Sequence, residues 1–219
     1  AAVSHELNQP LAAMKTYLAG ARLLLQRRRP DEALASFQRI DDLIERMGAL
    51  TRQLKSYARK GGEAFEPVDI RSCLSSALSM MEQQLKVRVV QITRTLPRNP
   101  VMVMADRLRL EQVIINLLRN ALDATKGVAE PRVDLSVIVD DAVRLAVRDN
   151  GHGIVDLDNL FEPFYTTKKP GEGVGLGLAI SSGIVTDLGG RLIARNADGG
   201  GAVFEVQLPI LGKELAAAE

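Results

Sequence analysis

Two glycine-rich stretches contain the residue types that could bind a phosphorylated ligand. The first, residues 149–153, is DNGHG and follows the apolar run at 143–147. The second, residues 171–178, is GEGVGLGL and opens an apolar helical run. Glycine lets backbone N–H groups approach a ligand closely, and a helix N-terminus attracts phosphate. The two stretches therefore predict a nucleotide site that needs no lysine-containing phosphate loop.

A predicted helix upstream carries two asparagines that suit the same site. In residues 109–124 the apolar side chains recur at three- and four-residue steps, which indicates an amphipathic helix. Asn116 and Asn120 are four residues apart and so share one face. An amide carbonyl is an oxygen ligand that Mg²⁺ accepts beside phosphate oxygens, although isolated helical asparagines are more often solvated or capping. The nearby glycine stretches favour a functional interpretation.

Four motifs in this order resemble those of the GHKL ATP-binding fold, specifically the catalytic domain of bacterial sensor histidine kinases. They are an N box at 116–124, a G1 box at 149–153, an F box at 160–168 and a G2 box at 173–178. One glycine cluster alone would be a weak signal, whereas four ordered motifs are specific. The resemblance implies ATP and Mg²⁺ as the bound ligands.

The resemblance also implies roles for individual residues. Asp149 is expected to accept a hydrogen bond from the adenine amino group, and Asn120 with Asn116 to coordinate Mg²⁺. Backbone amides of the G2 glycines are expected to hold the phosphates. The other nucleotide-contacting candidates are Gly151, Gly153, Thr167, Lys168, Gly173, Gly175, Leu176 and Gly177. For Lys168, a phosphate contact and an ordinary solvated lysine both remain open.

The N-terminal part supplies a candidate phosphoryl acceptor. Residues 4–11, SHELNQPL, resemble the H box of histidine kinases, in which the imidazole accepts the γ-phosphoryl group. On this resemblance His5 is the acceptor, and Glu6 is the acidic neighbour that holds or deprotonates the other ring nitrogen. Alone, each would be an ordinary exposed helical residue. Gln9 lies one turn after His5 and either assists dephosphorylation of a partner or only covers the helix surface.

Apolar spacing predicts two long helices in this N-terminal part. Between positions 3 and 25, apolar residues recur at alternating four- and three-residue steps. The sequence RRRPD at 27–31 interrupts this pattern, and a second run of regularly spaced apolar residues covers 34–57. Two such helices form an antiparallel hairpin with a half-covered apolar seam. We therefore expect two copies to form a four-helix bundle in a homodimer. Pro10 lacks an N–H and is expected to kink the first helix.

A glycine pair, charges and a proline near residues 60–67 predict a hinge between two domains, at 1–60 and 67–211. The elements predicted for the second domain are a strand at 68–70, a helix at 71–85, strands at 87–95 and 101–104, the N-box helix capped by Asp106, strands at 132–139 and 142–148, the G2 helix to 188, and strands at 191–195 and 202–208. Helices on one face of a mixed sheet form an α/β sandwich of the GHKL ATPase type, so the whole chain is α+β.

Composition argues against several other classes. The 219 residues, 46% of them hydrophobic, suit one or two soluble domains, and a net charge of +1 gives no field that favours nucleic acid or a membrane surface. The single cysteine, Cys73, excludes an internal disulfide and a cysteine-based metal site, and its apolar setting predicts a buried thiol. No apolar run of about eighteen residues exists, and no signal peptide is recognised, so no membrane span is expected in this sequence.

Two alternative functions would require different residues from phosphorylation of His5. A GHKL hydrolase of the chaperone or gyrase type carries a glutamate one turn before the metal-binding asparagine; this chain has Asn116 there, and an amide cannot act as a base. A catalytically silent phosphotransfer or dimerisation module would have no need of Asp149, Asn120 and the G2 glycines. We therefore expect ATP-dependent autophosphorylation of His5, followed by transfer to an aspartate of a response regulator.

The H box has Asn8, Gln9 and Pro10 where many kinases carry Arg-Thr-Pro. This variant resembles the DctB-like subgroup of four-carbon-dicarboxylate sensors, which are inner-membrane proteins that phosphorylate NtrC-type response regulators. The resemblance implies a receiver domain as partner, with no role for nucleic acid. It also implies that this chain is the cytoplasmic portion of a bacterial inner-membrane sensor, connected to the membrane only through upstream segments.

Overall fold

The structure, a computed structural model, describes the backbone of residues 2–58, 65–168 and 175–211. Within the first range, the side chains of residues 2–9, 45–46 and 49–58 lie outside the description. The chain divides into two compact units, one built on the N-terminal helices and the other on a β-sheet with its own helices.

The N-terminal helices form an antiparallel hairpin, as the apolar spacing predicts. Helix α1 spans Ala2–Gln26 and continues through Pro10, and helix α2 spans Pro30–Ala58. Ala21 and Ala33 are fully buried, so small side chains lie where the two helices approach each other near the connection.

The hairpin leaves apolar side chains of both helices exposed. Leu11, Leu18 and Leu25 follow one another at seven-residue steps along α1 and are 48%, 56% and 50% exposed. Phe37 and Ile44 of α2 are also exposed. One hairpin therefore covers only part of its apolar surface. No helix in the described part of the chain is long and apolar enough to cross a membrane.

Among its described residues, the second unit contains a five-stranded sheet, a two-stranded sheet and three helices. Their bounds are β1 Glu66–Asp69, α3 Ile70–Arg88, β2 Gln91–Thr95, β3 Met102–Ala105, α4 Arg107–Ala124, β4 Arg132–Val139, β5 Val143–Asp149, α5 Gly177–Asp187, β6 Arg191–Asn196 and β7 Ala202–Leu208. The order of the large sheet is β2-β4-β5-β7-β6, in which β2 runs parallel to β4 and the other neighbours are antiparallel. Strands β1 and β3 form a separate antiparallel pair. This arrangement confirms the predicted α/β sandwich.

The core forms between one face of the large sheet and the apolar faces of its helices. In β5, the buried residues Val143, Leu145 and Val147 alternate with more exposed ones, which is the pattern of a strand covered on one side. The apolar residues buried in α4 are Leu110, Val113, Ile114, Leu117, Leu118, Ala121 and Leu122. The spacing of these buried residues determines which face of α4 packs against the core. Cys73 of α3 is fully buried, as predicted, and burial raises the pKa of its thiol to about 11.

Two aspartates begin helices that pack in this core. Asp106 accepts hydrogen bonds from two backbone N–H groups in the first turn of α4 and is the predicted N-cap. Asp69 caps α3 by accepting from the N–H of Arg71 at 3.1 Å, and it also accepts from the N–H of Val101 at 3.1 Å. The Arg71 guanidinium lies 2.9 Å from Asp69 and holds the pKa of that carboxyl below its usual value.

The strand predicted at 87–95 is wrong at its beginning. Helix α3 extends to Arg88, the left-handed Val89 ends it with a φ of 51°, and β2 begins only at Gln91. Val87 and Val89 are 77% and 82% exposed, so their β-branched side chains do not face the core that a strand would need.

Candidate nucleotide-binding site

Asp149 is a buried carboxylate at the end of a central strand. It is the last residue of β5, the third of the five strands in the sheet order, and it is 2% exposed. Its Oδ1 accepts hydrogen bonds from the N–H of Gly151 at 2.8 Å and from the N–H of Ala202 at 3.3 Å. Both bonds go to the same oxygen, and no other described residue bonds to Oδ2. Within the described residues, the protein therefore holds one oxygen of Asp149 and leaves the other without a hydrogen bond.

Burial also sets the electrostatics of Asp149. Loss of solvation raises the pKa of this carboxyl above its usual value, because the charged form is disfavoured away from water. The two backbone N–H groups and His152 lower the pKa and so oppose this effect. A carboxylate that is shielded from water makes a stronger hydrogen bond to a suitable donor than an exposed one does.

The glycines of the G1 turn are required by the protein's own backbone. A Cβ on Gly151 would lie 2.3 Å from the carbonyl oxygen of Ala124, the last residue of α4. The N–H of His152 donates to that same oxygen at 3.3 Å. Gly153 has a φ of +75°, a left-handed conformation that glycine adopts without strain. The sequence suggested close approach to a ligand, but the close approach seen at Gly151 joins the turn to the N-box helix.

The two asparagines lie on one face of α4, as predicted, but their surroundings differ. Nδ2 of Asn116 donates to Oγ of Ser181 in α5 at 2.9 Å, and a Cβ on Gly177 would lie 2.6 Å from Oδ1 of Asn116. Asn120 is half-buried, and its side chain has no hydrogen-bond partner among the residues that the structure describes. Asn116 is therefore fixed to the first turns of α5, whereas the Asn120 amide has no such contact within the described residues.

Helix α5 begins without a side-chain cap. The residue at its N-cap, Leu176, is 2% exposed and makes no capping hydrogen bond, so N–H groups of the first turn lack a side-chain partner. The preceding Gly175 has a φ of +69°, and its carbonyl accepts a hydrogen bond from the N–H of Phe164 at 2.9 Å. Because the Leu176 side chain is in the core, only its backbone can contact a nucleotide.

The segment that connects the F box to the G2 box is described only in part. Thr167 is exposed and Lys168 is half-buried, and the N–H of Lys168 donates to Oγ1 of Thr166 at 3.2 Å. Gly173, predicted to contact phosphate, lies outside the described residues. The predicted nucleotide contacts of these residues remain predictions.

The H-box residues are located only at the level of the backbone. His5, Glu6 and Gln9 lie in the first turns of α1, and their side chains are outside the description. Their assignment continues to rest on the motif.

Three residues outside the predicted motifs contribute to the site. Ser181 holds Asn116, and Ala202 donates to Asp149. A Cβ on Gly201, whose φ is +85°, would lie 1.9 Å from the carbonyl oxygen of Asp149. The run GGGA at 199–202 signals a turn, but its contact with Asp149 depends on β5 and β7 being neighbours, which the local pattern does not encode.

Family profiles match both parts of the chain. Residues 1–63 match the family described as His Kinase A (phospho-acceptor) domain. Residues 105–212 match the family described as Histidine kinase-, DNA gyrase B-, and HSP90-like ATPase. The fold and the site thus define a phospho-acceptor hairpin joined to an ATPase domain of this class.

Individual relatives agree with the profiles. The C4-dicarboxylate transport sensor proteins DctB of Pseudomonas aeruginosa and of Rhizobium meliloti are 42% and 38% identical over 212 and 214 residues. Each alignment covers 95% of this chain but only 35% and 34% of the relative, so the chain spans about a third of their length. The solved structure of Acinetobacter baumannii histidine kinase AdeS is 25% identical, with a TM-score of 0.73 over 94% of this chain and 98% of that one.

The chain belongs to the sensor histidine kinases. Within that family it resembles the DctB-like dicarboxylate sensors, as the H-box variant predicted.

Proposed function

We propose that this chain is an ATP-dependent protein-histidine kinase that phosphorylates His5 and then passes the phosphoryl group to an aspartate of a response regulator. The observation that carries the proposal is the buried carboxylate of Asp149, which has one oxygen held by backbone N–H groups and the other left for a ligand. The match to an ATPase family makes ATP the nucleotide.

Asp149 selects the base in this proposal. Its Oδ2 accepts a hydrogen bond from the exocyclic amino group of adenine. Guanine has a carbonyl oxygen at the corresponding position, and two acceptors facing each other in a buried site repel. The burial of Asp149, which is 2% exposed, strengthens this discrimination, because an unpaired buried carboxylate cannot turn to solvent.

The phosphates bind at the start of α5. The uncapped N–H groups of its first turn point out of the helix end, where the helix dipole favours negative charge. Gly175 and Gly177 have no side chains of their own here, and Oδ1 of Asn116 occupies the space that a Cβ on Gly177 would need. On the family motif, Gly173 adds a backbone amide, and Thr167 and Lys168 add contacts to the phosphates.

Asn120 is the principal metal ligand in this proposal. Mg²⁺ supplies charge neutralisation on the phosphate oxygens during transfer. The half-buried amide of Asn120 has no partner among the described residues and offers an oxygen of the type that Mg²⁺ prefers. Asn116 adds its Oδ1, oriented by the bond from its Nδ2 to Ser181. In the described ranges no group of three or more His, Cys, Asp or Glu could hold a metal. Nucleotide oxygens and water complete the Mg²⁺ coordination in this proposal.

A water-splitting ATPase is the alternative on the same fold. It needs a base one helical turn before Asn120, where the chain has Asn116, whose amide cannot take a proton. The Asn116 amide is also already bonded to Ser181. The γ-phosphoryl group therefore needs an acceptor from elsewhere in the chain.

His5 is that acceptor. Its neighbour Glu6 accepts a hydrogen bond from one ring nitrogen, which leaves a lone pair on the other for attack on the γ-phosphorus. The exposed stripe of Leu11, Leu18 and Leu25 favours association of two hairpins into a four-helix bundle, because burial of these side chains removes apolar surface from water. The kinase is thus a homodimer.

The partner is the receiver domain of a response regulator, of the NtrC type if the resemblance to DctB-like sensors extends to the output. The chain is then the cytoplasmic portion of an inner-membrane sensor. The similarity to dicarboxylate sensors supports both statements, because it covers nearly the whole of this chain.

Replacement of His5 by glutamine tests the proposal. Incubation of the parent chain with γ-labelled ATP and Mg²⁺ should give a protein-bound label that is stable in alkali and labile in acid. His5→Gln should abolish that label and leave the dissociation constant for ATP within about twofold of the parent, a difference below about 0.5 kcal/mol. Acid-labile label that persists in His5→Gln would remove His5 as the acceptor.

A further inference from the structure

Asn196 makes a two-point contact with the end of the G1 turn although it belongs to none of the nucleotide-binding motifs. It is the last residue of β6. Its Oδ1 accepts a hydrogen bond from the N–H of Ile154 at 2.7 Å, and its Nδ2 donates to the carbonyl of Ile154 at 3.0 Å. The side-chain amide therefore pairs with both polar backbone groups of one residue, as a neighbouring strand would.

The same end of the β6–β7 hairpin also holds Asp149. Asn196 pairs with Ala202 across the two strands, and the N–H of Ala202 donates to Oδ1 of Asp149 at 3.3 Å. The turn from Asp149 to Ile154 is thus fixed at both ends by one hairpin. Within the turn, a Cβ on Gly153 would lie 2.8 Å from Oδ1 of Asn196, so the amide fills the space that a side chain would need.

The chemistry of this contact requires an amide. Ile154 presents one donor and one acceptor, and an asparagine offers the complementary pair in one plane. A carboxylate lacks the donor, and alanine lacks both groups. Without Asn196, the backbone after Gly153 loses two hydrogen bonds, and glycine at a φ of +75° provides little resistance to movement.

We propose that Asn196 is a positioning residue for nucleotide recognition: by holding Ile154, it fixes the G1 turn so that the Asp149 carboxylate is aimed at the base. The inference rests on the proposed role of Asp149. It assigns Asn196 no contact with the nucleotide.

The test compares ATP with purine riboside triphosphate, which lacks the exocyclic amino group, by calorimetric titration of the full chain. Asn196→Ala should weaken ATP binding about three- to tenfold, the effect of about one hydrogen bond, and weaken analogue binding less than about twofold. Asn196→Asp keeps the acceptor for the N–H of Ile154 but places a second acceptor against the carbonyl of Ile154, so it should weaken ATP binding at least as much as Asn196→Ala. Arg195→Ala, an exposed neighbour in the same strand, is the matched control and should leave both affinities unchanged.

A double-mutant cycle completes the experiment. In the Asp149→Asn background, Asn196→Ala should have almost no further effect on ATP, because the group it positions is gone. Equal weakening of ATP and the analogue, unchanged ATP affinity, or a full effect in the Asp149→Asn background would each overturn the inference. If Asn196→Ala does not fold, as judged by thermal denaturation, Asn196→Asp provides the same comparison. Failure of the parent to discriminate between ATP and the analogue would instead refute the role of Asp149, and the inference with it.

Discussion

Replacement of Asp149 by asparagine changes one oxygen of a buried group and little else. Both backbone hydrogen bonds to this side chain go to Oδ1, so asparagine can keep them with its own carbonyl oxygen. Its NH₂ group then occupies the position of Oδ2 and faces the amino group of adenine. A donor meets a donor where the parent has a charged acceptor.

The size of the effect follows from that exchange. Loss of a hydrogen bond to a charged group removes roughly 1.5 to 3 kcal/mol, which corresponds to a dissociation constant about ten- to a hundredfold larger. Calorimetric titration of ATP against parent and variant measures it directly. The loss should be much smaller for purine riboside triphosphate, because that nucleotide has no amino group to lose contact with Asp149.

The Asp149→Asn substitution should affect the stability of the protein differently from its affinity for ATP. Burial raises the pKa of Asp149, so the folded state disfavours the ionised carboxyl, and the stability of the parent falls as pH rises through the raised value. Asparagine has no charge to desolvate, so the variant without nucleotide should be at least as stable as the parent at neutral pH.

An unchanged dissociation constant for ATP, or equal losses for both nucleotides, would refute the assignment of Asp149 to the base.

Two further predictions concern other parts of the chain. Asp69→Asn keeps a capping oxygen but removes the charge paired with Arg71, and should lower the free energy of unfolding by about 1 to 2 kcal/mol at neutral pH. Because the pKa of Asp69 is lowered in the folded state, urea unfolding should show this difference shrinking as pH falls below the ordinary value of 3.8; a constant difference would contradict the ion-pair origin. Gln9→Ala should slow dephosphorylation of the cognate regulator while autophosphorylation of His5 stays near normal. Equal rates of dephosphorylation in parent and variant would leave Gln9 with only a surface role.

Residue periodicity was sufficient to predict the elements that carry the site. The spacing of apolar residues in α4 predicted that Asn116 and Asn120 share a face, and the structure places them so. Asp106 was predicted as the N-cap of that helix and is one. These features depend on contacts within a few residues of sequence, which the local pattern records.

Features that depend on the sheet order were not predictable in this way. The N–H of Ala202 reaches Asp149, and Asn196 reaches Ile154, only because β7 pairs with both β5 and β6. The bond from Asn116 to Ser181 likewise depends on how α4 packs against α5. The incorrect beginning of the strand at residue 87 has a local cause, because a β-branched run can also occupy the exposed end of a helix.

The fate of the γ-phosphoryl group in a single turnover tests the central claim most directly. The chain is mixed in excess with γ-labelled ATP and Mg²⁺, and protein-bound label and free phosphate are followed together, with the labelled peptide identified under alkaline conditions. Transfer to His5 predicts that label appears on the peptide containing His5 before any free phosphate forms, and that His5→Gln forms neither at a comparable rate. Free phosphate released without a phosphohistidine, at the same rate in parent and His5→Gln, would contradict a kinase and indicate a hydrolase.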